Sequence, residues 1–301
     1  MESTRLGGSD LEVSRVGLGC NNFGWRLDRA ATAAVVEAAL DAGITFFDTA
    51  DVYGSSDSER FLGEALGERR GDVVIATKFG QDTGIPGPGG SPAHVRRAIE
   101  ASLERLGTDV VDIYYYHRPD GVTPLAETLG AMRELVSEGK VRWLGLSNVD
   151  AAQLDEAAAS SGPVVAVQNR YSLLDRHDDA DVLPRCRELG IGYVPYFPLE
   201  SGLLTGKYRR GAPAPAGSRL EGRDDSLSDE RFDRVERLES FAAERGRTLL
   251  ELAIGGLASL PGIVSVIAGA TSPDQVRANA AAGAWTLDKS ELEALAALGV
   301  G

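Results

Sequence analysis

Histidine and cysteine are scarce in this chain, with three and two copies among 301 residues. The histidines His94, His117 and His177 form no ligand pair and no H-E-x-x-H, which argues against a metal hydrolase. Cys20 and Cys186 have no metal-type spacing, and so few cysteines in so long a chain fit a reducing compartment, although spacing alone leaves a disulfide between them open. No apolar run approaches the roughly 20 residues of a spanning helix. The polar start Met1-Glu2-Ser3-Thr4-Arg5 has none of the apolar core of a signal peptide, so a cytoplasmic protein is expected. Positive charge is also in deficit. A balance of 31 Lys and Arg against 45 Asp and Glu gives −14, which argues against nucleic acid and anionic membrane as partners. A Rossmann fingerprint is missing too: Gly17-Leu18-Gly19-Cys20-Asn21-Asn22 puts Asn22 where the third glycine belongs. Nor does Gly19 to Gly24 lead into the lysine of a phosphate loop.

What is present is a regular alternation of short β-branched runs and longer helical patterns, the sign of βα repeats and a parallel sheet. The expected strands are Val16–Gly19, Thr45–Asp48, Val73–Lys78, Asp112–His117, Val141–Ser147, Val164–Gln168, Gly192–Tyr196 and Val264–Ala268. Eight strands, each followed by a helical segment, predict an α/β fold, a (β/α)8 TIM barrel, as one domain over residues 1–301. Ahead of it, Arg5 to Val13 predicts a tight hairpin with a glycine-rich turn. Ser91-Pro92, Thr123-Pro124 and Ser272-Pro273 supply N-caps followed by a first-turn proline, with Gln275 at the capping-box position of the third. Val95, Ile99, Leu103 and Leu106 share one helical face and Gly107 ends that helix; Leu125, Leu129, Met132 and Val136 do the same ahead of Gly139.

One segment breaks the rhythm. Leu199 to Asp229 carries seven Gly and Pro together with Lys207, Arg209, Arg210, Arg219 and Arg223. A loop this long is either functional or a solvated insertion. Its basic residues in an acidic chain predict a lid over an anionic ligand, placed after strand 7.

Three strands end on ionisable groups. Phe46-Phe47-Asp48 is followed by Tyr53, Val73 to Lys78 ends on a lysine, and Asp112 to His117 ends on a histidine. In a βα barrel the carboxyl ends of strands face the catalytic loops, so the four groups are expected to converge. Singly, each has a plainer reading as a cap, a solvated charge or a structural histidine. Together they form a proton-transfer set, because an ammonium beside a phenol favours the phenolate and lowers a pKa of about 10.

The order Asp48, Tyr53, Lys78, His117 resembles the catalytic tetrad of the aldo-keto reductase family, and the resemblance spans most of the chain. It implies that the hairpin plugs the barrel bottom, that Tyr53 donates a proton to a carbonyl oxygen, that Lys78 modulates it, that Asp48 holds Lys78 and that His117 orients the substrate. It further implies a nicotinamide cofactor held at the barrel mouth by Gly19, Asp48, Ser147, Asn148, Gln168, Tyr196, Phe197, Pro198 and Leu199. Lys207 is expected to reach the pyrophosphate, Arg219 the adenosine end, and Gly269, Thr271, Gln275 and Asn279 the last helix's contribution. Many members carry Lys and Arg where this chain has Gly269 and Gln275, and Phe197 replaces a common serine. NADP(H) is the expected cofactor, with NAD(H) not excluded, and the expected partner is a small-molecule carbonyl substrate. The expected oligomeric state is a monomer or weak homo-oligomer. Two alternatives stand beside this reading: a Schiff-base aldolase on Lys78, disfavoured because Asp48 would raise the lysine pKa, and a non-catalytic nucleotide-binding regulatory barrel.

Overall fold

The computed structural model describes residues 1–160, 162, 164–223 and 227–300. Eight parallel strands curl into one sheet: β3 (Val16–Gly19), β4 (Phe46–Asp48), β5 (Val74–Phe79), β6 (Val111–Tyr116), β7 (Val141–Ser147), β8 (Val164–Gln168), β9 (Gly192–Tyr193) and β10 (Val266–Gly269). β10 pairs with β3, and the bridges Tyr193–Ile263 and Tyr196–Ile267 bring the chain after β9 against the β10 edge. Helices α1 (Arg29–Asp41), α2 (Asp57–Leu66), α3 (Pro92–Leu106), α4 (Leu125–Ser137), α5 (Ala151–Ala159), α6 (Val182–Leu189), α7 (Asp229–Ala243), α8 (Leu249–Glu251), α9 (Pro273–Ala282) and α10 (Lys289–Ala297) complete the chain. This is the (β/α)8 architecture the alternation predicts. No helix among the described residues is long and apolar enough to cross a membrane.

Three strands match the sequence expectation and the bounds of the others shift by one to three residues. β5 runs one residue past Lys78, β6 stops one before His117, and β9 is cut to two residues. The last has a local cause: Pro195 has no N–H for a ladder, and Phe197 turns at φ 66°.

The strand period of two decides what faces inward. Phe46, Val74, Ala76, Ile113, Tyr115 and Ala166 belong to a separate buried cluster inside the barrel. Tyr115 fits there because β7 offers Gly145, where a Cβ would lie 2.3 Å from the tyrosine ring. Continuing each parity by two residues reaches Asp48, Lys78, His117 and Gln168, which therefore stand on the same interior face, one layer above the apolar plug. Ile75 and Phe79, of opposite parity, pack under the helices.

The hairpin is present as β1 (Ser3–Arg5) against β2 (Glu12–Ser14), antiparallel. Its connection is six residues long rather than a tight turn, organised by the Ser9 hydroxyl donating to the Leu6 carbonyl at 2.6 Å. Leu6, Leu11 and Val13 join the interior cluster and close it from below.

Two of the three predicted caps need correction. Ser91 holds the N-cap position of α3, but its hydroxyl donates to the Pro88 carbonyl. α4 starts after Pro124, and the Thr123 hydroxyl goes to Asp120. At α9, Ser272 accepts from the Gln275 N–H as expected, while the Gln275 side chain accepts from Thr271 instead of completing a capping box. Gly107 ends α3 in the left-handed region, as predicted. Cys20 and Cys186 are both free and buried.

Candidate active site

Lys78, fully buried, is the hub. Its Nζ donates to Asp48 Oδ2 at 2.7 Å and to the Thr49 carbonyl at 2.8 Å, and reaches the Tyr53 hydroxyl at 3.5 Å. The second Asp48 oxygen accepts from Gln168 Nε2 at 2.8 Å, so the carboxylate is fully engaged. Burial works against the ammonium, but Asp48 and Tyr53 more than offset it and hold the Lys78 pKa above its ordinary value. That direction counts against a Schiff-base lysine, which needs the opposite shift.

Tyr53 sits in the turn after β4, its ring 5.8 Å from that of His117 in an edge-on arrangement. The expectation of a lowered phenol pKa is overturned for the protein alone. Burial raises it, and Lys78 pulls it down without reversing the sign. The phenol is therefore fully protonated at neutral pH, as a proton donor must be. His117 is pushed down to about 3 by burial, then by the charges of Lys78 and Arg118, so its imidazole is neutral. Its Nδ1 is buried without a partner.

Beside this set opens a cavity of about 440 Å³ bounded by strand ends, the 199–223 segment and the start of α9. Of the residues the sequence predicts for a cofactor, Gly19, Asp48, Tyr196, Phe197, Pro198, Leu199, Lys207, Arg219, Gly269, Thr271, Gln275 and Asn279 line it. Ser147, Asn148 and Gln168 do not border it directly, but Asn148 and Gln168 bond Tyr196 and Asp48, which do. The Ser147 hydroxyl donates to the Gln168 carbonyl, and Asn148 donates to the His117 carbonyl while accepting from the Tyr196 hydroxyl at 2.8 Å. Asn148 holds φ 56°, a conformation asparagine tolerates better than most residues.

The basic segment splits in two. Arg209 pairs with Glu239, and Arg210 with Asp229 and Glu236, so both face outward onto α7 rather than over a ligand. Lys207 and Arg219 line the cavity. The Lys207 ammonium lies across Gly202, where a Cβ would come within 2.6 Å of it. Arg219 donates to Asn22 Oδ1 at 2.9 Å and so ties the segment to the loop after β3. Residues 224–226 of the predicted lid lie outside the described residues. Asp274, which would oppose an anion if it pointed inward, instead pairs with Arg277 at the surface.

Sequence reading passed over Asn22, which is buried, donates to the Ala270 carbonyl and accepts from Arg219. It drew notice only as a failed third glycine. Its place in the loop directly after a barrel strand was the usable signal.

A second acid was also missed. Asp51 is buried with neither carboxylate oxygen hydrogen-bonded, and burial, then Glu59, push its pKa up to about 8. The folded protein thus keeps a proton that the unfolded chain releases near 3.8, so stability falls as pH rises from 3.8 toward 8. Asp51→Asn is expected to raise the melting temperature at pH 8 by several degrees, at roughly 2–4 °C per kcal/mol for a chain of this size, with little effect near pH 4. A melting series in which the variant gains nothing at pH 8 would contradict this.

The cavity's chemistry suits an anionic dinucleotide. Lys207 and Arg219 reach it, the positive end of α9 borders it, and its size lies in the range of ligand sites. Comparison with known proteins agrees with that architecture. The sequence matches the Aldo/keto reductase family over residues 15–299. It is 38% identical to a probable voltage-gated potassium channel subunit beta of Oryza sativa subsp. japonica, over 93% of this chain and 90% of that one. The corresponding protein of Arabidopsis thaliana is 39% identical with the same coverage. A probable aldo-keto reductase 1 of Glycine max is 36% identical over 97% of this chain and 87% of its own. The solved structure of a glycerol dehydrogenase from Gluconobacter oxydans superposes with a TM-score of 0.86 at 29% identity, covering 98% of this chain and 94% of that one. The chain therefore belongs to the aldo/keto reductase family, a family of oxidoreductases that act on carbonyl compounds.

Proposed function

We propose that this protein is an NADP(H)-dependent reductase of aldehydes or ketones, with Tyr53 as the proton donor. The observation that carries the reading is the Asp48–Lys78–Tyr53 chain beside His117, with Asp48 and Tyr53 opening onto the cationic cavity. When bound, the reduced nicotinamide supplies the hydride. Tyr53 Oη gives its proton to the carbonyl oxygen as that oxygen gains charge. Lys78 stabilises the resulting phenolate, and Asp48 keeps Lys78 charged and aimed. The neutral imidazole of His117 has one N–H to offer, and it orients the substrate oxygen toward the Tyr53 proton. Tyr196 and Phe197, which line the cavity, would hold the nicotinamide ring, and Lys207 and Arg219 would hold the cofactor's phosphates. Oxidation of reduced nicotinamide by an activated aldehyde, followed by loss of absorbance, tests the activity.

For cofactor choice, the cationic groups at the cavity favour the cofactor with the extra phosphate. NADPH is expected to bind more tightly than NADH, and Arg219→Ala should weaken NADPH by the larger factor in a fluorescence titration. Equal losses for both cofactors would remove Arg219 from the phosphate role.

A second reading draws on the two relatives named as channel beta subunits. In it the barrel binds the nucleotide and regulates a partner without turnover. Tight NADPH binding with no consumption across a broad carbonyl panel would favour it.

A further inference from the structure

We infer that Glu200 is a positioning residue for the cofactor: its carboxylate, gripped by Arg170, Arg231 and Ser172, fixes the strained turn from Phe197 to Gly202 that walls the cavity. The inference rests on the cofactor-binding part of the reductase reading and adds a residue that acts through the backbone it holds.

Backbone preference does not give this turn its shape. Phe197 (φ 66°), Glu200 (φ 47°), Ser201 (φ 58°) and Gly202 (φ 89°) are all left-handed, and three of the four are not glycine. Such residues persist where surrounding contacts over-determine them. Within the turn, the Glu200 N–H donates to the Phe197 carbonyl at 3.2 Å and the Gly202 N–H to the Leu199 carbonyl at 2.8 Å. The Ser201 carbonyl accepts from Tyr208 of the same segment. Among the described residues, the hydrogen bonds that tie the turn to other elements end on the Glu200 carboxylate. It accepts from Arg170 and Ser172 of the loop after β8, each at 3.0 Å, and from Arg231 of α7 at 2.9 Å. Arg170 also stands 5.0 Å over the Phe197 ring, so both ends of the turn meet one guanidinium.

Glu200 is 3% exposed, and a carboxylate so buried needs partners of this kind. Unpaired, it would repel an anion in the cavity it borders. Arg170 is shared with Asp175, so two carboxylates meet two guanidiniums and the cluster is neutral. Its contribution is shape rather than charge, which separates it from Lys207 and Arg219. The shape still reaches Lys207: an added Cβ at Gly202 would stand 2.6 Å from that ammonium, so the side chain rests on the turn.

The test is calorimetric titration of NADPH, NADH and adenosine 2′,5′-bisphosphate into the wild-type protein, Glu200→Ala and Arg231→Gln. The side chains of Arg170 and Arg231 are 46% and 32% exposed and regain water when Glu200 is cut back, so the fold should survive. Glu200→Ala is expected to weaken NADPH and NADH alike by about tenfold, the order of one hydrogen bond to a charged group. The bisphosphate, which has neither nicotinamide nor pyrophosphate, should bind as before. Arg231 lies outside the cavity lining, and Arg231→Gln should weaken both dinucleotides severalfold; it decides the matter if Glu200→Ala does not fold. Unchanged dinucleotide affinity in the folded variants would overturn the inference. So would an equal loss for the bisphosphate, the mark of a general loosening. Wild-type protein that reduces no carbonyl, with these losses still seen in the variants, would end the reductase reading and leave the inference standing. Wild-type protein that binds neither dinucleotide would end both.

Discussion

Tyr53→Phe is expected to lower kcat for carbonyl reduction by about 10²–10⁴-fold, the range a positioned general acid contributes. The substitution removes one oxygen and little else. That oxygen's recorded protein contact is the 3.5 Å approach of Lys78, so the fold and the cavity should survive. NADPH affinity should change little, because the phenol oxygen is aimed at the substrate. The loss belongs in kcat and kcat/KM together, the sign of an interaction made in the transition state. The pH profile supplies a second check. Since burial raises the Tyr53 phenol, reduction by the wild-type protein should not decline on that account until pH passes the ordinary value of 10.0. Turnover of Tyr53→Phe at the wild-type rate would take the proton donor role away from this residue.

Strand parity explains how much of this was legible. Asp48, Lys78 and His117 each continue an alternation that begins with an apolar interior residue, Phe46, Ala76 or Tyr115. A period of two is written in the sequence, so the convergence of the three groups was readable before any coordinates. Loop interiors carry no such period. Nothing in Arg209 or Arg210 announces that α7 will present Glu239 and Glu236 to them, and charge composition alone assigned both to the cavity. The caps failed for a related reason. Ser91 and Thr123 have the right chemistry for an N-cap, but the carbonyl of Pro88 and the carboxylate of Asp120 compete for the same hydroxyls. The phenol pKa was misjudged because a sequence shows a neighbouring charge but not the burial that outweighs it.

Lys78→Met and Asp48→Asn are expected to separate the two halves of the buried pair by opposite responses to pH. Removing one partner of such a pair typically costs about 3–5 kcal/mol, because it leaves an uncompensated charge without water. Lys78→Met leaves the Asp48 carboxylate with Gln168 as its remaining side-chain donor. A buried negative charge is relieved by acid, so this variant should recover stability as pH falls. Asp48→Asn leaves Lys78 with burial, the influence that lowers its pKa, and without its main opposing one. A base whose folded pKa drops below 10.5 loses stability as pH falls through that window, so this variant should be steadier in alkali. In the wild type the sign is the reverse: the raised Lys78 pKa gives stability present below 10.5 and lost as pH rises through the folded value. Joining the changes removes both charges, and the double variant should melt above at least one of the single variants. Reductase activity should stay low in Lys78→Met at every pH, since no ammonium remains to take up the phenolate. Single variants with parallel pH–stability curves, or a Lys78→Met protein with wild-type turnover, would mean that the 2.7 Å contact does not govern the site.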